Sequence, residues 1–192
     1  MTLSIAQLTG IAWLLWMLYW AASALGVKPA ARVESRGSRW GRHVLLLILA
    51  ALLLARFARL DGSFLNARFV PALASIAWLG FGLTVAGLAF TCWARVVLGR
   101  NWSAVVQLKQ DHELIVRGPY AFVRHPIYTG LLLAYFGTAL LVGEWRALLG
   151  TAIVAIAFWR KLRLEEQWLC ELFGDRYRHY MRRVRALVPW VL

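Results

Sequence analysis

The sequence predicts an all-α, polytopic membrane protein: five transmembrane helices, a cytoplasmic connector and a C-terminal helical tail. Three observations predict it. First, 61% of the 192 residues are hydrophobic and the mean hydropathy is +0.60, too apolar for a soluble domain of this size. Second, the charge is segregated: 22 Lys and Arg against nine Asp and Glu, a formal +13, fall between apolar stretches. A basic stripe with interleaved aromatics would point to nucleic acid. This distribution instead reads as membrane topology and excludes a nucleic-acid partner. Third, eleven Trp make the chain unusually aromatic, and most of them suit an interfacial belt around spanning helices, with Trp102 and Trp168 near the site as packing. Cys92 and Cys170 lack CxxC spacing, so neither a disulfide framework nor a thiolate metal site is supported, and no metal is expected.

The first spanning segment is 3–27, too long for a signal sequence and read as retained. A basic connector follows over 28–42, suited to anionic headgroups. Segment two runs from His43 to about Leu60 and is closed by the turn signal Asp61-Gly62-Ser63. Segment three spans Val70 to Leu98, where Gly80, Gly82 and Gly87 with Ala77 and Ala86 suit close helix packing. Segments four, 127–142, and five, 147–159, are separated by four residues and must form a tight antiparallel hairpin. They cover roughly 24 and 20 Å against a hydrocarbon core of about 30 Å. The hairpin is short for a bilayer, so its charged end, with Arg160, Lys161 and Arg163, sits at or just below headgroup level.

With five spans, 18 of the 22 Lys and Arg fall on one side and four on the other. That bias puts the N-terminus outside and the C-terminus inside. Residues 1–192 form a single membrane domain, with an N-terminal two-helix part over 1–69 and a catalytic part over 70–192. The absence of a eukaryotic targeting feature points to a prokaryotic inner membrane.

Between segments three and four, residues 112–130 read HELIVRGPYAFVRHPIYTG. Two Gly, two Pro, two His, two Tyr and two Arg are more chemistry than a connecting loop needs. Gly118-Pro119 marks one turn; Arg124-His125-Pro126 marks a second that launches a helix, since Pro fits the first helical position. The double turn is read as half of a cofactor site, with RKLRLEEQW over 160–168 as the other half. A plainer reading also exists: His125 merely caps a helix, and Glu165 pairs with Lys161 on a solvated face for roughly 0.2 to 0.5 kcal/mol. His43 and His179 are read as structural, and the basic residues of DRYRHYMRRVR as holding headgroups.

HELI, GPY, RHPIYTG, an apolar hairpin, EE, FGDRYRHY and the late Pro189, in that order over about 101–189, resemble the isoprenylcysteine carboxyl methyltransferase family and the related phospholipid N-methyltransferases. The resemblance implies S-adenosylmethionine as cofactor and S-adenosylhomocysteine as product. It also implies a hydrophobic or lipid-borne acceptor met at the membrane. Carried over by position, His112, Glu113, Leu114, Ile115 and Tyr120 line the cofactor, as do His125, Pro126, Ile127 and Tyr128, with Glu165 closing from the other side. Gln107 stands where the family has a glutamine, two residues closer to the next motif. Eukaryotic members carry an arginine four residues before the glutamate, where it meets the substrate; here that position is Lys161. Lysine keeps the charge but loses the planar fork that grips a carboxylate, so Lys161 and Arg163, with Arg160 as a further candidate, are the expected substrate contacts beside Glu165.

The residue types suit that chemistry on their own terms. A sulfonium and an ammonium need an acceptor, which Glu165 or Glu166 supplies. A carboxylate needs donors, which His125 and the backbone N–H groups opening segment four supply. Adenine needs flat walls, which Tyr120 and Tyr128 supply. Carboxyl O-methylation of a prenylcysteine-like compound leads among the expected reactions. Phospholipid amine N-methylation stands close behind it, and an NADPH-dependent reductase of the sterol type is the rival from another class. An amine acceptor needs a base, for which His125, His112 and Glu166 are the candidates.

Overall fold

The computed structural model describes residues 3–24, 30–33, 45–54, 62–102, 107–109 and 113–189. Among the described residues are six α-helices: α1 (Ile5–Ser23), α2 (Leu45–Leu54), α3 (Ala74–Leu98), α4 (Pro126–Val142), α5 (Trp145–Phe173) and α6 (Asp175–Arg183). The architecture is all-α as expected, and beside the helices β1 (Ala30–Val33) and β2 (Gln107–Lys109) form a short antiparallel ladder, with Val33 opposite Gln107.

α1 starts where Ser4 and Gln7 cap each other: Ser4 Oγ accepts from the Gln7 N–H at 3.2 Å while the Gln7 carboxamide accepts from the Ser4 N–H at 2.9 Å. It ends at Ser23; residues 25–27 of the expected first span lie outside the described residues, as do His43 and residues 55–60 of the second. α3 begins at Ala74, later than the expected Val70, because Pro71 and Leu73 hold the entry extended.

The helix that carries segment five, α5, is longer than the apolar segment itself. It does not stop near Trp159 but continues to Phe173, 29 residues or about 43 Å at the α-helical rise. Residues 160–173 contain no Gly or Pro and are rich in Arg, Lys, Leu, Glu and Gln, all good helix formers. Gly174 ends the helix at φ +55°. The turn at the other end is tighter than expected: Gly143, in the left-handed region at φ +73°, and Glu144 alone join α4 to α5.

The tightest packing lies between antiparallel α3 and α4. A Cβ at Gly80 would lie 2.5 Å from Gly137 O, and one at Gly137 2.5 Å from Gly80 O. Gly87 and Gly130 face each other in the same way, a Cβ at Gly130 meeting Gly87 O at 2.6 Å. Both pairs are seven residues apart, two helical turns, so the glycines recur on one stripe of each helix and let the backbones touch. Thr84, wholly buried between them, turns its hydroxyl to Gly80 O at 2.9 Å. Gly82, grouped with Gly80 and Gly87 in the sequence, has nothing within 4 Å of a built Cβ.

α1 docks on this pair through indoles rather than leaving them all in an interfacial belt. Trp13 Nε1 donates to Thr138 Oγ1 at 3.0 Å, and Trp16 Nε1 to Thr91 Oγ1 at 2.6 Å. Both lie mid-helix, and bonds donated by an indole N–H to a hydroxyl oxygen suit a low-dielectric helix interface. α2 lies against α5, where Ala50 joins the cluster of Tyr128, Val154, Phe158, Leu162, Ala186 and Leu187. That cluster sits directly beneath the polar residues opening α4.

Candidate active site

His125 is the residue before α4, and Pro126 at the first helical position fixes its entry. The ring of His125 stacks on Tyr128 at 5.5 Å between centroids, and Tyr128 stacks on Phe158 of α5 at 4.9 Å. Tyr128 donates its hydroxyl to Glu165 Oε1 at 2.7 Å. His125 faces both carboxylates of α5: Nε2 is 3.1 Å from Glu166 Oε1, and Nδ1 is 3.6 Å from Glu165 Oε2, beyond hydrogen-bond length. The Lys161 ammonium lies over the Tyr128 ring, 5.5 Å from its centroid. Thr151, Val154, Phe158, Leu162 and Glu165 recur at helical spacing along α5, so one face of that helix carries the apolar packing and the carboxylate in line.

Behind this front lies a buried ion-pair network. Arg124 donates through Nε to Glu166 Oε1 at 2.7 Å, and its Nη2 lies 2.6 Å from the same oxygen. Its Nη1 donates to Met181 O at 3.3 Å and also to Val184 O. The C-terminal segment is strapped to the same turn: the Arg124 N–H donates to Arg185 O at 2.8 Å and the His125 N–H to Ala186 O at 3.0 Å. Thr129 Oγ1 completes the strap by donating to Leu187 O at 2.7 Å.

Burial pushes the Glu166 carboxyl up, but the hydrogen bond and charge of His125, joined by the Arg124 guanidinium, outweigh it and hold the group below its ordinary range. A depressed folded-state value contributes stability that is present above the ordinary carboxylate pKa of about 4.3 and is lost as pH falls through the lower folded-state value. In detergent, the thermal midpoint is expected to change little between about pH 7 and about pH 5 through this group, then to fall on further acidification. The acid-side fall should shrink in Glu166→Gln; an unchanged acid limb in that variant contradicts the assignment.

Four of the expected residues come together: His125, Tyr128, Lys161 and Glu165. Pro126 is buried at the start of α4, and Ile127 is half-buried against the cluster below. Tyr120 is buried one turn away, where its hydroxyl meets Ala94 O at 3.5 Å and its carbonyl accepts from Tyr180 Oη at 2.5 Å. Burial, reinforced by Tyr180 and Glu165, raises its phenol and keeps it neutral. Leu114 and Ile115 are half-buried in extended chain and Glu113 is exposed. Gln107 lies in β2, and His112 falls outside the described residues. Arg163 is exposed; two residues beyond Lys161, it sits about 200° further round the helix, on another face. The Arg124–Glu166 pair and the Arg185–Leu187 strap were not read from the sequence. The apolar Ala186-Leu187 directly after the basic run was the one signal that the tail returns to the core.

A family profile described as Phospholipid methyltransferase matches residues 75–176, from the start of α3 into α6. The chain belongs to the phospholipid methyltransferase family. Among its relatives, a protein-S-isoprenylcysteine O-methyltransferase of Schizosaccharomyces pombe is 33% identical over 104 residues, 51% of this chain and 43% of that protein. The protein-S-isoprenylcysteine O-methyltransferase B of Arabidopsis thaliana is 30% identical over 129 residues, 64% of this chain and 66% of its own. Methanethiol S-methyltransferase 1 of Bradyrhizobium diazoefficiens is 42% identical over 71 residues, 37% of this chain and 24% of that one. The solved structure of a eukaryotic intramembrane Ras methyltransferase, isoprenylcysteine carboxyl methyltransferase, matches with a TM-score of 0.59 and 25% identity, covering 83% of this chain and 55% of that one. This family member thus spans less than two thirds of each of these relatives. Ile5–Ser23 and Ala74–Asn101 are long and apolar enough to cross a membrane, Pro126–Val142 is apolar but shorter, and the structural neighbour is intramembrane: the chain is a membrane protein.

Proposed function

We propose that this chain is an integral membrane methyltransferase that uses S-adenosylmethionine to methylate a hydrophobic or lipid-borne acceptor, foremost the carboxylate of a prenylcysteine-like compound. The observation that carries the reading is the cluster of His125, Tyr128, Glu165 and Lys161 at the charged end of an apolar hairpin. When bound, S-adenosylmethionine supplies an electrophilic methyl group on a sulfonium. The residues fit such a group: Glu165 Oε2 keeps acceptor capacity toward a cation, because only Oε1 takes the Tyr128 hydroxyl. The stacked rings of His125, Tyr128 and Phe158 offer a flat wall.

These side chains act mainly by position, since displacement needs the nucleophile, methyl carbon and leaving group in line. Lys161 holds a positive charge over Tyr128, which attracts a carboxylate and repels an ammonium. Glu166 Oε1 is already engaged by both Arg124 and His125, so it is poorly disposed as a general base. A carboxylate acceptor needs no base; an amine does. Both observations favour the carboxylate over the phospholipid amine. In this reading the chain makes five spans with its N-terminus outside, and the site faces the cytoplasm on the side rich in Lys and Arg.

Titration of the purified protein in detergent tests the proposal. S-adenosylhomocysteine is expected to bind and NADPH to give no response; the reverse result would establish the reductase alternative. Glu165→Gln should weaken S-adenosylhomocysteine by about tenfold or more, the loss of a charge-assisted bond, and His125→Ala should weaken it as well. Full binding in both variants would defeat the site. Methyl-labelled cofactor with lipid extracts, read by mass spectrometry, identifies the acceptor, and label on an amine headgroup would overturn the carboxylate assignment.

A further inference from the structure

A cleft of about 750 Å³ opens between the residues before Gly118 and helix α6. Leu114, Val116, Ala121 and Val184 give it an apolar side. Arg176, His179 and Arg183 give it a basic one. Its lining includes neither His125 nor Glu165, and of the residues expected to line the cofactor it includes Leu114 alone.

The basic side is a stripe, because positions 176, 179 and 183 are spaced three and four apart on α6 and all three residues are exposed. Tyr177 and Tyr180 of the same helix are buried and anchor it, and Tyr180 itself borders the cleft beside the stripe. Asp175 also borders the cleft, but its carboxylate is 3.0 Å from Arg178 Nη1, so it leaves the stripe basic. Val116 in the cleft wall is 47% exposed, and Phe122, next in sequence to the lining residue Ala121, is 55% exposed. A basic helix with apolar side chains exposed beside it is the pattern of a segment lying in a membrane interface.

We propose that this cleft binds an anionic phospholipid: the phosphodiester between Arg176 and Arg183, the glycerol and upper acyl carbons against Leu114, Val116, Ala121 and Val184. A free anion would use only the basic side. A lipid headgroup uses both, and the cleft's pairing of cations with an apolar wall complements it. The lipid is a bound component and not the methyl acceptor, since phosphatidylglycerol has neither an amine nor a carboxylate to methylate.

The test is lipid binding by the full chain in neutral detergent, read by native mass spectrometry without cofactor, so its outcome is independent of the methyl-transfer proposal. Probes are short-chain phosphatidylglycerol, short-chain phosphatidylcholine and inorganic phosphate. Two charge-matched doubles are compared, Arg176→Gln with Arg183→Gln, and Arg178→Gln with Arg182→Gln; all four arginines are exposed, so both doubles are expected to fold. Phosphatidylglycerol should bind the native protein in preference to phosphatidylcholine. The first double should weaken it about tenfold or more, the second by no more than about twofold, since a juxtamembrane charge acts strongly only near its headgroup. Equal binding of the two lipids, equal loss in the two doubles, or full displacement by inorganic phosphate would overturn the proposal. Displacement by S-adenosylhomocysteine would reassign the cleft to the cofactor and overturn it equally.

Discussion

Glu166→Ala is expected to destabilise the protein by about 3 to 5 kcal/mol, the cost of removing one partner from a buried ion pair and leaving the other charged group without it. The Arg124 and Glu166 side chains are 9% and 6% exposed, so water does little to replace the lost carboxylate. The lower end of the range applies, because Arg124 keeps its bonds to Met181 O and Val184 O. Those same bonds tie the loss to function: the guanidinium holds the tail, the tail carbonyls hold the backbone of Arg124 and His125, and His125 stacks on Tyr128. S-adenosylhomocysteine binding should therefore weaken in Glu166→Ala, which also removes the 3.1 Å contact of Glu166 Oε1 with His125 Nε2. Removing both charges, Arg124→Met with Glu166→Met, should cost less than the two single changes added together, with a coupling of about 1 to 3 kcal/mol. Thermal unfolding in detergent reads the whole cycle. Additivity within about 0.5 kcal/mol would mean that the pair is not an energetic unit.

The contrast between Glu165 and Glu166 shows what was legible in advance. Both carboxylates, the RHP turn and the hairpin joining them are visible in order along the chain, because apolar run length and turn residues are local signals. Adjacent residues on a helix point about 100° apart, so one glutamate had to face the front and the other elsewhere. Which one did so depends on Arg124, and the register of Arg124 depends on the strap at Arg185–Leu187, sixty residues away. Such long-range backbone pairing leaves no period in the sequence. Helix limits failed for a similar reason. Hydropathy marks where α5 leaves the apolar region, near Trp159, but helix formation follows backbone propensity and continues to Gly174. The inward bonds of Trp13 and Trp16 leave no local signal either, because their partners, Thr138 and Thr91, lie on helices far along the chain.

Gly87→Ala should likewise be strongly destabilising, whereas Gly82→Ala, the same chemical change five residues away, should not be. At Gly87 the new methyl would stand 2.6 Å from Ala134 N and also press on Gly130 O. Both are backbone atoms of α4, so no side-chain rotation relieves the contact. The helices must separate, at a cost of about 1 to 3 kcal/mol for an overpacked core. Separation would also stretch the Gly80–Gly137 approach and the Thr84 hydroxyl's 3.3 Å contact with Ala134 O. At Gly82 a methyl meets nothing within 4 Å, and alanine there should stabilise by about 0.4 to 1 kcal/mol by restricting the unfolded backbone. The two substitutions have opposite expected signs on one helix, so paired thermal scans in detergent separate close packing from a general dislike of added bulk. A Gly87→Ala protein as stable as Gly82→Ala would mean that α3 and α4 do not meet through their glycines. The hairpin end carrying His125 and Tyr128 would then lack the rigid support from which the candidate site is built.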